Sequence, residues 1–221
     1  MLRRETVSES LARVLTDLME LKELHSHRLV GGTALALQIG HRRSVDIDLF
    51  SCEPSDYTRI EVAIQNRFGK RAQVLHYIHS PLGRGISLSI DEIKTDVLDW
   101  NRHFLFPAET VEGIRLAGIL EIALMKLGIL TGPPEWIRYE KKDYVDLVFL
   151  LQQFPLKELI PLFQAQYTSA GFAERRILEA LESAELADKK PHPFMLQPMD
   201  WAETKSQIGK AIQQYLEEKG S

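Results

Sequence analysis

The spacing of the apolar residues changes near residue 108, and this change favours a chain built in two parts. Before it, short alternating segments and short helical segments are separated by glycine turns, which is typical of a sheet with flanking helices. After it, apolar residues recur at helical spacing in about five segments, as in a helical bundle. The sequence therefore predicts an α+β fold, with a mixed sheet and flanking helices at residues 1–110 and a helical domain at residues 111–221.

Local signals place the individual helices and strands. Thr6 and Glu9 form a capping box, which predicts a first helix over residues 7–25. A helix with Val62 on its inner side follows Pro54. The other predictions for the first part are a helix over 34–39, strands over 28–30, 44–50, 72–78, 86–90 and 93–100, and a turn over 81–85. For the second part, helices are predicted over 116–130, 139–154, 156–167, 173–187 and 201–218.

Gly31, Gly32 and Thr33 lie between a short predicted strand and a predicted helix. Glycines at such a turn let the backbone approach a phosphate closely, and the N-terminus of the following helix favours an anion. Thr33 adds a hydroxyl donor. This pattern predicts a phosphate site, although the segment is not a P-loop because it lacks the GxxxxGK[ST] pattern. The alternative is an ordinary tight turn with Thr33 as the N-cap of the helix.

Asp46 and Asp48 alternate with Val45, Ile47 and Leu49, which predicts a strand with one buried face. The two carboxylates then lie on the opposite face, about 6.6 Å apart along the strand. This arrangement suits Mg²⁺, and neighbouring like charges are unfavourable without a cation. The alternative is a solvent-facing strand edge that binds nothing.

Asp96 lies in a further predicted strand that can bring it beside Asp46 and Asp48. There it is either a third metal ligand or the base that takes a proton from an attacking hydroxyl. Asp99 is out of phase with Asp96 and is the weaker candidate. A phosphate-binding turn beside carboxylates for Mg²⁺ or Mn²⁺ predicts transfer of a nucleotidyl group from an NTP.

The composition excludes several other classes of protein. The net charge is −4 and the pI is about 6.0, so there is no overall basic field to gather nucleic acid. The single cysteine, Cys52, excludes an internal disulfide and favours a reducing compartment. Residues 1–10 have no apolar signal segment, and Glu121 and Lys126 interrupt the longest apolar stretch. No membrane span is predicted, and a cytoplasmic location is expected.

Three segments together resemble a known family: Gly31-Gly32-Thr33, residues 43–50 and Lys94-Thr95-Asp96. They are similar to the AbiEii/AbiGii-type nucleotidyltransferase toxins, which belong to the DNA polymerase β-like nucleotidyltransferase superfamily. The resemblance continues through Glu121–Lys126 and Lys142–Leu147, so it touches residues 29 to 150. The family often has Gly-Ser at the position of Gly32-Thr33, a difference that keeps the hydroxyl. Residues 155–221 carry no motif.

The resemblance implies roles for the first part of the chain. Gly32 and Thr33 are expected to hold the triphosphate. Asp46 and Asp48 are expected to bind Mg²⁺, and Asp96 to complete the metal site or act as the base.

The resemblance also implies that Lys126 reaches the phosphates and that Asp143 orients either this lysine or the acceptor. Considered without the family, Lys126 is a helix lysine that extends its charged end into water. Asp143 and Asp146 are one helical turn apart, which is typical of a solvated face.

Other conspicuous residues give weaker signals. Arg42 and Arg43 either balance the nearby aspartates, contact a phosphate or belong to a solvated loop. The histidines are scattered and are expected to be structural or exposed. The tryptophans Trp100, Trp136 and Trp201 are expected to pack in the core or at an interface.

The family implies a function as the toxin of a bacterial toxin–antitoxin or abortive-infection pair. Such a toxin is expected to transfer NMP to tRNA or another RNA and to be restrained by an antitoxin protein. One alternative keeps the chemistry and changes the acceptor to a protein or a small molecule, such as an aminoglycoside-type antibiotic. Another is a regulatory module with a degenerate nucleotidyltransferase fold, against which the complete set of carboxylates argues.

Overall fold

The computed structural model describes residues 1–80, 83–132, 138–166 and 173–220. They form two compact units, Met1–Glu121 and Ile122–Ser221. The strands are β1 (Arg28–Leu29), β2 (Ile47–Ser51), β3 (Ala72–Ser80), β4 (Gly83–Ile90), β5 (Ile93–Trp100), β6 (Glu109–Val111) and β7 (Ile114–Leu116). The helices are α1 (Glu9–Met19), α2 (Gly31–Ile39), α3 (Tyr57–Phe68), α4 (Ile119–Thr131), α5 (Lys141–Leu151), α6 (Leu156–Gln166), α7 (Glu174–Glu182) and α8 (Trp201–Gly220). Pro81 and Leu82 of the predicted turn, and Trp136, lie outside the described residues.

The first unit contains a mixed sheet in which the described strands have the order β3-β4-β5-β2-β1-β7-β6. β2 runs parallel to β5, and β1 runs parallel to β7, whereas the other neighbouring strands are antiparallel. In the central strand β2, the side chains of Ile47, Leu49 and Ser51 are fully buried, while Asp48 and Phe50 are half-buried. The predicted mixed α/β fold is confirmed, and β2 has one apolar face and one polar face.

The start of α1 differs from the capping box predicted from Thr6 and Glu9. Ser8 is the N-cap, and its hydroxyl accepts a hydrogen bond from the backbone N–H of Leu11. Thr6 instead donates to the carbonyl of Arg3 within a 3₁₀ turn. Ser and Thr share the N-cap preference, and Ser8, two residues after Thr6, takes this position, so the predicted capping box is wrong. The predicted helix was also too long, since α1 ends at Met19.

The strand that carries the aspartates is shorter than predicted. β2 begins at Ile47, where its ladder with β5 begins, and Val45 precedes it with 69% of its surface exposed. The prediction that Val45 lies on the buried face was therefore wrong. A similar error affects α3, whose buried stripe is Ile60, Ile64 and Phe68. Val62 is exposed because two residues correspond to about 200° around a helix.

β6 and β7 form a short hairpin that the sequence analysis did not predict. Glu112 and Gly113 make the turn, and both have positive φ, 51° and 81°, as in the tight turns that suit hairpins. Glu112 accepts hydrogen bonds from the N–H of Leu2 and the guanidinium of Arg4, so the hairpin is fixed to the N-terminal segment. The predicted domain boundary between residues 110 and 111 falls inside β6.

Within its described residues, the second unit contains α4 from Ile122 onward and α5 to α8. α8 packs against α5, α6 and α7, and Tyr144 of α5 lies edge-on to Trp201 with 5.8 Å between ring centroids. Each of the five predicted segments contains an α-helix, so the helical second part is confirmed. Two bounds were wrong, because Leu116 belongs to β7 and α7 ends at Glu182, where a 3₁₀ helix follows. None of the helices among the described residues is long and apolar enough to cross a membrane.

A buried histidine makes the first unit sensitive to acid. His27 is almost inaccessible, and its Nδ1 has no hydrogen-bond partner among the described residues. Burial, with smaller contributions from Arg115 and His25, lowers the pKa of His27 to about 4 despite the opposing charge of Asp99. Because the unfolded chain takes up this proton near pH 6.5 and the folded chain does not, stability falls as the pH drops below about 6.5.

We expect His27→Gln to remove this part of the pH dependence. Between pH 7 and pH 5, urea denaturation should show the wild-type chain losing about 2 kcal/mol more unfolding free energy than the variant. His76 is exposed, and His76→Gln is the matched control that should keep the wild-type slope. Equal slopes for the wild type and His27→Gln would contradict the assignment.

Candidate active site

The glycine turn contacts the aspartate strand directly. The N–H of Val30 donates to the carbonyl of Asp48 at 2.9 Å, and α2 begins at the next residue, Gly31. Gly31 has φ of +69°, and a Cβ atom there would lie 2.8 Å from Oδ2 of Asp48. A larger residue would be strained and would displace this carboxylate, so the glycine allows Asp48 to lie against the first turn of the helix.

Thr33 joins the same helix to the segment that carries Asp46. Its hydroxyl donates to the carbonyl of Asp46 and lies 2.9 Å from the hydroxyl of Ser44. The side chain is only 1% exposed. The alternative in which Thr33 is the N-cap is wrong, because Val30 occupies that position. The hydroxyl therefore fixes the chain around Asp46, and its contact with a triphosphate stays a prediction.

We expect Thr33→Val to cost about 1–3 kcal/mol of unfolding free energy, because it leaves buried partners of the hydroxyl without a hydrogen bond. Since Asp46 loses a positional constraint, activity should fall as well. Thr33→Ser keeps the hydroxyl and is the matched control. It is expected to retain most of the unfolding free energy and most of the activity. Urea denaturation and initial rates on the two variants provide the measurement. Identical behaviour of the two would refute the role of the hydroxyl.

Asp48 and Asp96 are register partners in the parallel ladder between β2 and β5. Registered neighbours point to the same face of a sheet, so both carboxylates lie on the polar face of β2. Ser87 of β4 is the next register partner of Asp96. The structure therefore brings Asp96 alongside Asp48, and Asp46 precedes the same strand by one residue.

Both oxygens of the Asp96 carboxylate are engaged. The hydroxyl of Ser87 donates to Oδ1 at 2.6 Å, and the ammonium of Lys94 lies 2.5 Å from Oδ2. Burial disfavours the charged lysine, but the hydrogen bond and charge of Asp96, with the charges of Asp48 and Asp46, outweigh it and raise the pKa of Lys94. Lys94 thus forms an ion pair with Asp96 and places a positive charge near Asp48 and Asp46.

Sequence reasoning gave no role to Lys94 or Ser87. Lys94 was named only as part of a motif, yet it lies two residues before Asp96 and so on the same face of the strand. The two-residue spacing was therefore the signal in the sequence that could have placed Lys94 beside the Asp96 carboxylate. Ser87 is separated from Asp96 by a hairpin turn, and its position could be inferred only with the register of β4 and β5 known.

Asp99 lies on the opposite face of β5 from Asp96, as its phase predicted. Its carboxylate accepts hydrogen bonds from the backbone N–H of Ser55 at 2.9 Å and from the Ser55 hydroxyl at 2.5 Å. Its own N–H donates to the hydroxyl of Tyr57. These contacts hold the start of α3, so Asp99 has a structural role.

The donor set matches a hard divalent cation in its chemistry. Asp46, Asp48 and Asp96 offer only oxygen atoms, and Gly31 leaves beside Asp48 a space that a Cβ would fill. Within the described ranges, however, no group of three or more His, Cys, Asp or Glu side chains is arranged as a preformed metal site. The carboxylates suit Mg²⁺, and Lys94 adds a positive charge beside them.

Lys126 and Asp143 form a cluster with Asp146 in the second unit. The lysine Nζ lies 2.5 Å from Oδ1 of Asp143 and 2.7 Å from Oδ2 of Asp146. Lys126 is 4% exposed and both aspartates are inaccessible. The alternatives of a water-exposed lysine and a solvated acidic face were therefore wrong. The expected contact of Lys126 with phosphates stays a prediction.

The two arginines before Asp46 have different environments, one in the core and one at the surface. Arg42 is buried, and its guanidinium donates to the carbonyl of Arg43 at 2.9 Å. Arg43 is exposed. The solvated-loop alternative is wrong for Arg42, and a role of Arg43 in balancing the aspartates or contacting a phosphate stays a prediction. Trp100 packs between Phe50 and Phe104, as expected of a core residue.

The mixed sheet, with Asp48 and Asp96 in register beside a glycine turn that begins a helix, agrees with the nucleotidyl transfer predicted from the sequence. The chain belongs to the family described as nucleotidyl transferase AbiEii toxin, Type IV TA system, whose model matches residues 13–218. The resemblance stated from the sequence is thereby confirmed, and so is the activity class.

Individual proteins are similar to the chain over most of its length. A protein of unassigned function from Aquifex aeolicus (strain VF5) is 28% identical over 193 residues, which cover 86% of this chain and 87% of the relative. A crystal structure of a proposed nucleotidyltransferase from H. pylori has a TM-score of 0.57 at 17% identity, with 95% of this chain and 93% of that chain covered. JHP933 from Helicobacter pylori has a TM-score of 0.57 at 19% identity, covering 96% and 92%. At these identities the two structures show a shared fold.

Proposed function

We propose that this nucleotidyltransferase uses Mg²⁺ to move NMP from an NTP to an acceptor hydroxyl. The observation that carries the proposal is the register pairing of Asp48 with Asp96, with Gly31 against the Asp48 carboxylate. Two carboxylates on one sheet face beside a helix N-terminus bring cation ligands and a phosphate-binding backbone together. Nucleotidyl transfer needs both a bound cation and a site for the phosphates of the NTP.

Asp46, Asp48 and Asp96 would hold the cation, Mg²⁺ or Mn²⁺. When bound, such an ion supplies Lewis acidity at the α-phosphate and neutralises charge on the leaving pyrophosphate. Ser87 keeps Oδ1 of Asp96 oriented through its 2.6 Å hydrogen bond. Thr33 holds the backbone at Asp46. Both hydroxyls position carboxylates and need not touch the substrate.

The first turn of α2 would bind the triphosphate. The backbone N–H groups of Gly31 and Gly32 lie at the N-terminus of a nine-residue helix, where unpaired donors and the helix dipole favour an anion. The family resemblance adds Lys126 as a further phosphate contact, with Asp143 orienting it. For that contact, Lys126 would have to exchange a carboxylate partner for a phosphate oxygen.

The acceptor hydroxyl oxygen would attack the α-phosphorus, and the bond from this phosphorus to the bridging oxygen would break. Pyrophosphate leaves, and the hydroxyl proton passes to a carboxylate, for which Asp96 is the candidate. Each Asp96 oxygen accepts one hydrogen bond, from Ser87 or from Lys94, and keeps a second lone pair for a cation or a proton.

We propose RNA, such as tRNA, as the acceptor, and growth arrest in the cytoplasm as the outcome, held in check by an antitoxin. The description of the family as a type IV toxin–antitoxin system supports the antitoxin. The net charge of −4 gives no support to RNA binding, so the acceptor rests on the resemblance alone.

The test incubates the full chain with bulk tRNA, Mg²⁺ and each common NTP, labelled at either the α- or the γ-phosphate. Label should reach RNA from the α-position only, and EDTA should abolish the transfer. Transfer from the γ-position would indicate a kinase and contradict the proposal. If α-label instead reaches protein or an aminoglycoside, the chemistry stands and the RNA assignment is wrong.

A further inference from the structure

Trp201, the first residue of α8, has two lysine ammonium groups close to its ring. Nζ of Lys141 lies 5.3 Å from the ring centroid, and Nζ of Lys205 lies 5.7 Å from it. The buried Tyr144 lies edge-on to the ring, and the indole N–H donates a hydrogen bond to the carboxylate of Asp188 at 2.6 Å. These contacts fix the ring, whose π system attracts both cations.

Two carboxylates contact the lysines of this region. Asp188 accepts a hydrogen bond from Lys205 at 2.9 Å, and the hydrogen bonds from the indole and from this lysine lower the pKa of Asp188. Glu140 pairs with Lys190 at 3.1 Å, and Lys189 is exposed. The lysine cluster consists of Lys141, Lys189, Lys190 and Lys205. Its four ammonium groups and the two carboxylates have a formal charge of +2, although the whole chain carries −4.

Asp200 and Glu203, at the beginning of α8, make their contacts outside the lysine cluster. Asp200 accepts a hydrogen bond from the backbone N–H of Glu203 at 2.8 Å. Glu203 follows Trp201 by two residues, which corresponds to about 200° around the helix, and its carboxylate accepts a hydrogen bond from Gln207. Within the described residues, neither these carboxylates nor the exposed Glu185 forms an ion pair with the cluster. They reduce its positive excess only at longer range, where salt screens the charges.

The lysine cluster lies at the N-termini of two helices that pack together. α5 begins at Lys141 and α8 begins at Trp201. Unpaired N–H groups and the helix dipole make an N-terminus positive, so a lysine in the first turn is unfavourable for the helix. The position of Lys141 is therefore not explained by the stability of α5. Both helix ends add to the positive potential of the lysines, which favours a bound anion.

We infer that the lysine cluster binds the sugar–phosphate backbone of the RNA acceptor. Ammonium groups attract phosphates, and an aromatic ring among them offers a surface on which a base can stack. This combination favours a nucleic acid over an acidic protein, which would be attracted by the charges alone. The inference rests on the proposed function, because the RNA is the acceptor proposed there.

The lysines can contact a phosphate without opening the core. The side chains of Lys190 and Lys205 are 48% and 38% exposed, and each flexible stem ends in a compact charge. Exposed ion pairs contribute little to stability, so the contacts with Glu140 and Asp188 can be exchanged for phosphate contacts at small cost. Before RNA binds, the two carboxylates keep these ammonium groups at the cluster.

The experiment measures the binding of labelled bulk tRNA to the full chain by fluorescence anisotropy, in EDTA and without NTP, over a range of KCl concentrations. The test variant is Lys141→Gln/Lys205→Gln, which removes the two cations beside Trp201. Its affinity for tRNA should fall on the order of tenfold. The slope of log affinity against log salt should become less steep by about two, because each phosphate contact contributes about 0.9 to it.

Two matched variants separate the cluster from charge in general. Lys141→Arg/Lys205→Arg keeps both cations and should bind tRNA as the wild type does. Lys157→Gln/Lys210→Gln lowers the net charge equally, but Lys157 pairs with Glu218 and Lys210 is an exposed residue outside the cluster. This variant should also bind tRNA as the wild type does. Urea denaturation of each variant checks that it is folded.

An equal loss of affinity in the two glutamine variants overturns the inference, because only the overall charge would then matter. Failure of the wild type to bind tRNA at low salt overturns it as well. So does poly-L-glutamate that displaces labelled tRNA as effectively per unit charge as unlabelled tRNA does, since the cluster would then suit an acidic protein. A failure of the proposed function looks different. In that case the variants bind tRNA in the expected order, but no label moves from α-labelled NTP.

Discussion

Asp48→Asn is expected to lower nucleotidyl transfer on the order of a thousandfold while leaving the protein folded. The replacement keeps the size of the side chain and its half-buried position on β2, but it removes one charge from the carboxylate group that would hold the metal. Because Asp48 is paired in register with Asp96, its loss also relieves a repulsion between like charges. Because asparagine keeps the shape of the side chain, the unfolding free energy should change little while activity falls.

The measurement is label transfer from α-labelled NTP, with urea denaturation on the same samples. Asp56→Asn is the matched control, because Asp56 is the N-cap of α3 and asparagine caps a helix about as well as aspartate. Its activity and stability should equal those of the wild type. Retention of more than a tenth of the activity by Asp48→Asn would show that this carboxylate is not a metal ligand.

The aspartate strand could be predicted because its signal is local. Ile47 and Leu49 alternate with Asp48, and the structure buries the two apolar residues while leaving the aspartate half-buried. The position of Asp96 beside Asp48 needed more than alternation. β2 and β5 are parallel neighbours far apart in sequence, and their register depends on packing that no single segment encodes.

The β6–β7 hairpin was not predictable from apolar spacing, because each strand has only three residues. Apolar periodicity can be recognised only over a longer segment, so residues from 111 onward were predicted to belong to the helical domain. The turn at Glu112 and Gly113 carried the better signal, but positive φ at a glutamate is uncommon. Its carboxylate is fixed by Arg4 and Leu2, which is a tertiary contact.

Lys126 illustrates a different limit of prediction from the sequence. Charged residues are rarely buried, so the most frequent environment of a helix lysine is water. Here Asp143 and Asp146 lie three residues apart on α5, on neighbouring positions of one helix face, and both reach the same ammonium. An acidic pair of this spacing is compatible with one buried cation, but the sequence alone does not identify the partner.

Lys126→Met is expected to cost about 3–5 kcal/mol of unfolding free energy, because it leaves two inaccessible carboxylates without this ammonium. Methionine has nearly the length of lysine, so lost packing contributes little. An activity loss in this variant would therefore not establish a phosphate contact by itself. Activity has to be normalised to the folded fraction at the assay temperature.

A comparison of Lys126→Met with Asp143→Asn separates the effect of charge on the unfolding free energy from the effect of packing. Lys126, Asp143 and Asp146 carry a formal charge of −1 together, so removal of the lysine raises the buried excess and removal of one carboxylate cancels it. Oδ2 of Asp143 has no hydrogen-bond partner among the described residues, and asparagine retains an oxygen for the lysine. Asp143→Asn should therefore cost less than about 2 kcal/mol. Urea denaturation at pH 7 measures both variants. The charge that each variant leaves behind predicts that Lys126→Met loses more unfolding free energy than Asp143→Asn. If Lys126→Met is no less stable than Asp143→Asn, the ammonium does not hold the cluster together.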